Sequence, residues 1–348
     1  FAGAGGQAAA SPPLQFDAAA LQAVQQNYLK DSADLWNQGL QASANAAGVP
    51  GDRRFSASAW QENPVARFSA ASYLLNARTL MGLADAVKGD EKTRSRLRFA
   101  VEQWMAAAAP SNFLALNAEA QKKAIDTQGE SIAQGLKNLL HDMQQGHVSM
   151  TDESVFEVGK NVATTEGAVV FENDFFQLLE YKPLTAKVHE KPFLLVPPCI
   201  NKYYILDLQP ENSLIRYAVS QGHRTFVVSW RNPDESMADK TWDDYIEHAA
   251  IKAIDVVCEI AGARRAKGKR ADKAINALGF CVGGTILGTA LSVLAARGEK
   301  PVASATLLTS FLDFTDTGIL DIFIDETSVQ YRESEMDKGG LLKGQDLA

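Results

Sequence analysis

The sequence predicts an α/β protein with a mostly parallel sheet, preceded by an α-helical domain. Two observations predict it. From about residue 165 onward, short apolar runs of strand length alternate with longer runs of helical periodicity, the pattern of a parallel sheet with crossover helices. Before that point only the helical period is present. The length of 348 residues exceeds the usual size of one domain, and the boundary is expected where the pattern changes. We divide the chain into a disordered stretch (1–15), a helical domain (16–160) and an α/β domain (161–348).

The elements follow in order. Residues 1–15 are rich in Ala, Gly and Pro and carry too little apolar surface to order themselves. Leu21, Val24, Tyr28, Leu35 and Trp36 then recur at helical spacing, as do Phe68, Tyr73, Leu74 and Leu80. Further helices are expected over 92–108 and 117–145, with Pro110 and Gly146 as breakers. In the second half, "GAVVFEN" and "FFQLLEYKP" read as a hairpin, and "PFLLVPPCI" as a strand entering a Pro-Pro loop. "SLIRYAVSQG" is a helix closed by Gly222, and "TFVVSW" is the next strand. Thr241 is placed to cap a helix whose first turn holds Asp243 and Asp244, as the helix dipole favours. "AINALGF", a turn at Cys281, a helix to about Ala296 and the strand "SATLLTS" complete the series.

Composition narrows the function. A net charge of −8 argues against a general nucleic-acid or anionic-membrane surface. Three cysteines, Cys199, Cys258 and Cys281, are too few and too scattered for a disulfide framework. They form no zinc-binding cluster, so neither a metal nor any other cofactor is expected. A reducing, cytoplasmic setting fits, and no secretory signal is visible. The chain starts at Phe1 rather than Met, from which we expect the natural N-terminus to lie further upstream. Residues 274–296 carry no charge and are long enough to span a bilayer, with GxxxG spacings at Gly279/Gly283 and Gly284/Gly288. Their Gly- and Asn-rich first part favours strand, turn and helix instead, so no transmembrane segment is expected. The basic run at 264–273 reads as a solvated surface loop.

The candidate chemistry sits at Gly279-Phe280-Cys281-Val282-Gly283. Strand, tight turn and helix around a G-x-nucleophile-x-G core is the context of a nucleophile elbow. Glycines are needed there because strand and helix approach too closely for side chains. The nucleophile is held in a strained conformation above the sheet. The helix directs its N-terminal N–H groups at the sulfur, which favours thiolate in such settings. The Val282 N–H is placed to stabilise an oxyanion, and a second donor should come from the loop "LLVPPCIN", from Cys199 or Ile200. Cys258 lies at an apolar position within a helix and is expected in the core.

"GFCVGGT", "VPPCINKYYILDLQP", "VSWRNPD", "TWDDYIEHA" and "TDESVFEVGKNVATTEGAVVFEN" together resemble the class I polyhydroxyalkanoate synthases, the poly(3-hydroxybutyrate) polymerase type. The resemblance runs from about residue 50 to the end of the sequence. One departure is a longer basic loop at 264–273, expected to be peripheral. It implies an α/β-hydrolase-type catalytic domain that polymerises (R)-3-hydroxyacyl-CoA, such as 3-hydroxybutyryl-CoA, with release of CoA. Cys281 would carry the acyl group as a thioester, and a hydroxyl of the growing polyester chain would attack it. The resemblance also implies a homodimer and attachment to cytoplasmic polymer granules. Two other readings remain: a cysteine-nucleophile ester or thioester hydrolase on the same fold, and a non-catalytic granule-associated homologue.

The base is missing from its expected place. An elbow nucleophile is followed in sequence by an acid and then a histidine. All five histidines, His141, His147, His189, His223 and His248, precede Cys281. His248 reads as an ordinary helix residue, and Asp313 is only a general acid position for such folds. In the family resembled, the Asp and the His come later than Ala348. The expectation is therefore a catalytically incomplete fragment.

Overall fold

The computed structural model describes residues 14–40, 51–262, 274–336 and 341. These fall into two compact units, one reaching to Met150 and including Gly318–Phe323, the other formed by Thr151–Thr317 and the residues from Ile324 onward. The structural division thus comes at Met150/Thr151, ten residues before the expected one, and the first unit recruits a segment from far along the chain. Within that unit Phe323 packs edge-on against Phe99, and Lys92 pairs with Asp321.

The helical unit contains α1 (Ala18–Leu40), α2 (Ser58–Glu62), α3 (Pro64–Asp85), α4 (Glu91–Ala107), α5 (Ala118–Asp126) and α6 (Glu130–Gln145). Asn63 caps α3 through the N–H groups of Val65 and Ala66, and Pro64 occupies the first helical position, where its missing N–H costs nothing. A small core of Phe55, Trp60, Ala66, Ala70 and Ala118 joins α2, α3 and α5. Two expectations need correction here. The single helix expected over 117–145 is two helices, because Gln128 and Gly129 both take left-handed backbone conformations, φ 52° and 89°, and turn the chain. Residues 1–13 of the expected disordered stretch lie outside the described residues. Gln15, however, belongs to a short strand, β1 (Gln15–Phe16), paired antiparallel with β2 (Val87–Lys88).

The second unit is built on a six-stranded sheet of β3 (Gly167–Glu172), β4 (Phe176–Tyr181), β5 (Phe193–Val196), β6 (Thr225–Trp230), β7 (Ile275–Phe280) and β8 (Val302–Leu308). Their order is β3-β4-β6-β5-β7-β8. The hairpin β3–β4 joins antiparallel to β6, while β6, β5, β7 and β8 run parallel. This is the α/β-hydrolase-type, mostly parallel arrangement that the sequence predicts. Alternation along each strand divides the core. Leu194, Val196, Phe226, Val228 and Ala277 face one apolar cluster, and Leu195, Val227 and Leu278 face another.

The first cluster is closed by the helices after β6 and β7. Thr241 makes a reciprocal capping box with Asp244 at the start of α8 (Trp242–Asp244). The helix then widens into a π-helical stretch, Tyr245–Ile251, before continuing as α9 (Lys252–Ile260). α10 (Val282–Ala296) packs beside it, and α7 (Leu214–Ser220) covers the opposite face through Ile215 and Val219. Cys258 is buried in α9, as expected. Among the described residues no helix is long and apolar enough to cross a membrane. The basic run at 264–273 lies outside the described residues.

The strand order fixes where a ligand would bind. From β5 the chain moves to β6 on one side, then returns past β5 to β7 on the other. Loops leaving the carboxyl ends of β5 and β7 therefore diverge, opening a crevice at a topological switch point.

Candidate active site

Two strand ends meet at that crevice. In the register of the parallel pair, Val196 of β5 lies opposite Gly279 of β7. Cys281 comes two residues beyond Gly279, and Cys199 three beyond Val196. Both cysteines of the motif analysis therefore leave the sheet at the same edge.

At the β7 end the turn is as tight as the glycine pattern implies. Cys281 has φ 54° and ψ −130°, a conformation that side-chain-bearing residues rarely adopt. Its N–H donates to the Leu308 carbonyl of β8 at 2.9 Å, and its carbonyl accepts from the Gly284 and Thr285 N–H groups. A Cβ on Gly279 would come within 2.3 Å of the Gly284 Cα, and one on Gly283 within 2.2 Å of the Val196 carbonyl oxygen. One on Gly284 would overlap the Ser310 hydroxyl at 1.8 Å. Strand, helix and the neighbouring β5 end thus pack backbone on backbone, and the cysteine side chain is left exposed.

The helix start supplies donors. Among the described residues the N–H groups of Val282 and Gly283 have no acceptor, as befits the first turn of α10. The segment after β8 folds over that helix: Thr285 Oγ1 donates to the Phe311 carbonyl at 2.7 Å. Leu312 lies so close that a Cβ on Gly288 would meet it at 2.7 Å.

The β5 end brings a second thiol. Cys199 is half-buried. Burial pushes its thiol up, and the neighbouring Cys281 thiol acts in the same direction. The backbone N–H groups of Cys199 and Ile200 and the Lys202 ammonium oppose this. The two N–H groups considered as the second oxyanion donor belong to this same loop, beyond the end of β5. Trp230, at the end of β6, fastens this loop by donating its buried indole N–H to the Pro197 carbonyl at 2.7 Å. Tyr245 lies beside Trp230, ring centroids 6.1 Å apart, and its phenol is pushed up first by burial and then by Cys199.

No histidine joins this group by hydrogen bond or ring contact among the described residues. His248 is an exposed residue of the π-helical stretch, stacked on Phe175 and 3.8 Å from Asp244. His189 and His223 lie together at the opposite, amino edge of the sheet, just before β5 and β6, with ring centroids 4.9 Å apart. His141 and His147 belong to the helical unit. Asp313 stands beyond β8, but its carboxylate accepts from the Thr315 N–H at 2.9 Å, and contacts with Thr315 hold it below the usual carboxylate range. Among the described residues no cluster of three His, Cys, Asp or Glu could hold a metal ion.

Sequence reasoning missed Trp230, Lys202 and Asn232. Trp230 and Asn232 stand in "VSWRNPD" and Lys202 in "CINKYY". Their roles depend on contacts across some 30 residues of chain, which no local periodicity encodes.

Comparison with known proteins gives this geometry a family. Residues 51–218 match the family model described as "Poly-beta-hydroxybutyrate polymerase (PhaC) N-terminus", and residues 192–347 match "alpha/beta hydrolase fold". The chain is 60% identical over 330 residues to the poly(3-hydroxyalkanoate) polymerase subunit PhaC of Cupriavidus necator, covering 93% of this chain and 54% of that protein. It is 40% identical over 304 residues to the poly(3-hydroxyalkanoate) polymerase of Methylorubrum extorquens, covering 86% of this chain and 49% of that one. Against the PhaC subunit of Rhizobium meliloti identity is 35% over 326 residues, covering 90% and 52%. The chain therefore spans about half the length of these relatives.

Proposed function

The chain belongs to the poly(3-hydroxyalkanoate) polymerase family, and we propose that it carries the acyl-accepting site of an acyltransferase that polymerises (R)-3-hydroxyacyl-CoA. The observation that carries this reading is the exposed Cys281 on a glycine-packed turn, at the crevice between the carboxyl ends of β5 and β7. The proposed chemistry has two halves. First the Cys281 thiolate attacks the thioester carbonyl of the incoming hydroxyacyl-CoA, with 3-hydroxybutyryl-CoA as the expected substrate. The Val282 N–H, with a donor from Cys199 or Ile200, stabilises the tetrahedral oxyanion, which collapses by expelling CoA as its thiolate. Then the terminal hydroxyl of the growing chain, losing its proton to a base, attacks the Cys281 thioester. The new ester forms and Cys281 returns as thiolate. Exchange between two thioesters is nearly balanced in energy, so the acyl group stays activated for ester formation.

The base and its orienting acid are proposed to be a His and an Asp that come later than Ala348, since no histidine described here reaches Cys281. A homodimer and attachment to the surface of cytoplasmic polymer granules belong to the same proposal, on the strength of the family alone. The test uses the full-length protein with 3-hydroxybutyryl-CoA. Release of CoA and polymer, loss of both in Cys281→Ala, and a hydroxyacyl group on the Cys281 peptide are expected. Soluble hydroxy acid in place of polymer would make the protein a hydrolase. Undiminished CoA release by Cys281→Ala would remove the cysteine from the mechanism.

A further inference from the structure

The crevice is bordered by a second residue whose backbone is as unusual as that of Cys281. Lys202, three residues after Cys199, has φ 63° and ψ 162°. That region of backbone space is populated almost solely by glycine, and other residues keep it only where their surroundings impose it. Of the five non-glycine residues with positive φ among the described residues, Lys202, Cys281 and Thr309 all follow the carboxyl ends of parallel strands. Unusual backbone is thus concentrated at the edge where chemistry would occur.

The lysine side chain is held in a particular way. Its ammonium donates to the Asn232 side-chain oxygen, tying the loop after β5 to the loop after β6. The residue is half-buried, and among the described residues no carboxylate pairs with it. The nearby Arg231, by contrast, is neutralised by Asp234 at 2.9 Å. Burial pushes both the Cys199 thiol and the Tyr245 phenol up, so neither supplies a negative charge at neutral pH. Asp207, further along the same loop, is buried and spends its carboxylate on the hydroxyls of Thr165 and Ser213. Asp313 is turned onto Thr315. Lys202 is therefore an ammonium with no carboxylate partner among the described residues, tied to a neutral amide, on the loop that follows β5. A partly desolvated charge acts further and more strongly than one in water.

We propose that Lys202 is a positioning residue of the Cys281 site: its ammonium, fixed by Asn232, gives the crevice a positive potential that favours the anions formed during acyl transfer, the thiolate and the tetrahedral oxyanion. This rests on the reading of Cys281 as the acyl acceptor. It explains why a lysine occupies a backbone position that suits glycine, since the charge is what the position retains. It also gives Asn232 a purpose, because an aspartate there would cancel the field.

The test compares alkylation by iodoacetate, which is anionic, with alkylation by iodoacetamide, which is neutral. Rates are read at the Cys281 peptide of the full-length protein by mass spectrometry, across a pH series at low salt. Lys202→Met and Lys202→Gly should each lower the iodoacetate-to-iodoacetamide rate ratio about threefold or more, and move the midpoint of the pH profile upward. Lys202→Gly eases the backbone while removing the charge, so a loss there cannot come from misfolding of the turn. Lys202→Arg should restore the ratio, and added salt should bring the wild type down toward the variants. A wild-type ratio in both Lys202→Met and Lys202→Gly would overturn the proposal, as would Lys202→Arg behaving like Lys202→Met. Because no substrate is involved, this outcome is independent of whether Cys281→Ala abolishes CoA release, and the two readings can fail separately.

Discussion

The two edges of the same sheet are built differently. At the carboxyl edge, backbone is pressed against backbone: Gly279 on Gly284, Gly283 on the β5 carbonyls, with Cys281 and Lys202 held in rare conformations. At the amino edge the two titratable rings His189 and His223 meet, just before β5 and β6. Glycine packing thus sets the place of the Cys281 thiol, and among the described residues no histidine contacts it. The histidines of the α/β unit are real neighbours of one another or of the surface, but they sit away from the thiol.

The largest expected contrast is in thiol accessibility. Cys281 is exposed on its turn, while Cys258 is buried in α9 at 2% exposure and can react only after local unfolding. Iodoacetamide should label Cys281 at least about a hundredfold faster than Cys258, with Cys199 between them. Equal rates at Cys281 and Cys258 would mean that the turn does not present its thiol. Peptide-resolved labelling of the native protein measures this directly.

The next effect tests the packing itself. Alanine at Gly283 would place its Cβ 2.2 Å from the Val196 carbonyl oxygen and 2.5 Å from that of Pro197, both backbone atoms that a rotamer change cannot clear. Gly283→Ala should cost about 3 kcal/mol in urea unfolding. A loss below about 0.5 kcal/mol would show that the elbow and the β5 end can separate freely.

How much of this was legible follows from the range of the interactions. The strands were legible because Leu194, Leu195 and Val196 alternate between two buried faces in sequence order. The elbow was legible because three glycines around one cysteine have few other uses. The break between α5 and α6 was passed over although the polar run "DTQGES" with Gly129 marks it, because a lone glycine is also tolerated inside a helix. The π-helical stretch at Tyr245–Ile251 was not legible, because its sequence reads as part of one ordinary helix from Thr241. The anchoring of the Cys199 loop was also hidden, because Trp230 reaches Pro197 only after β6 has paired with β5.

That anchor gives a smaller effect. Trp230→Phe keeps the ring among its neighbours but removes the donor to the Pro197 carbonyl. A cost of about 1–2 kcal/mol is expected in thermal or urea unfolding. Labelling of Cys199 should rise along with it if the bond holds the loop closed. Stability loss with unchanged Cys199 labelling would assign the bond to the core rather than to the site.

The smallest effect belongs to the amino edge and depends on pH. Burial holds the His223 imidazole below its ordinary value of 6.5, and the nearby His189 adds to the depression. A histidine depressed in the folded state is protonated more readily once the chain unfolds. The unfolded state therefore binds more protons between the two values, and folding stability falls as pH drops below about 6.5. The His223 Nδ1 is buried without a hydrogen-bond partner, so protonation adds a charge where none is compensated. His223→Gln should flatten that part of the stability–pH curve while leaving the thiol reactivity of Cys281 unchanged at every pH. Urea unfolding midpoints measured from neutral pH down to about pH 5 would show it. A variant whose Cys281 labelling profile moved with the loss of His223 would link the two edges, and the separation drawn between them would have to be abandoned.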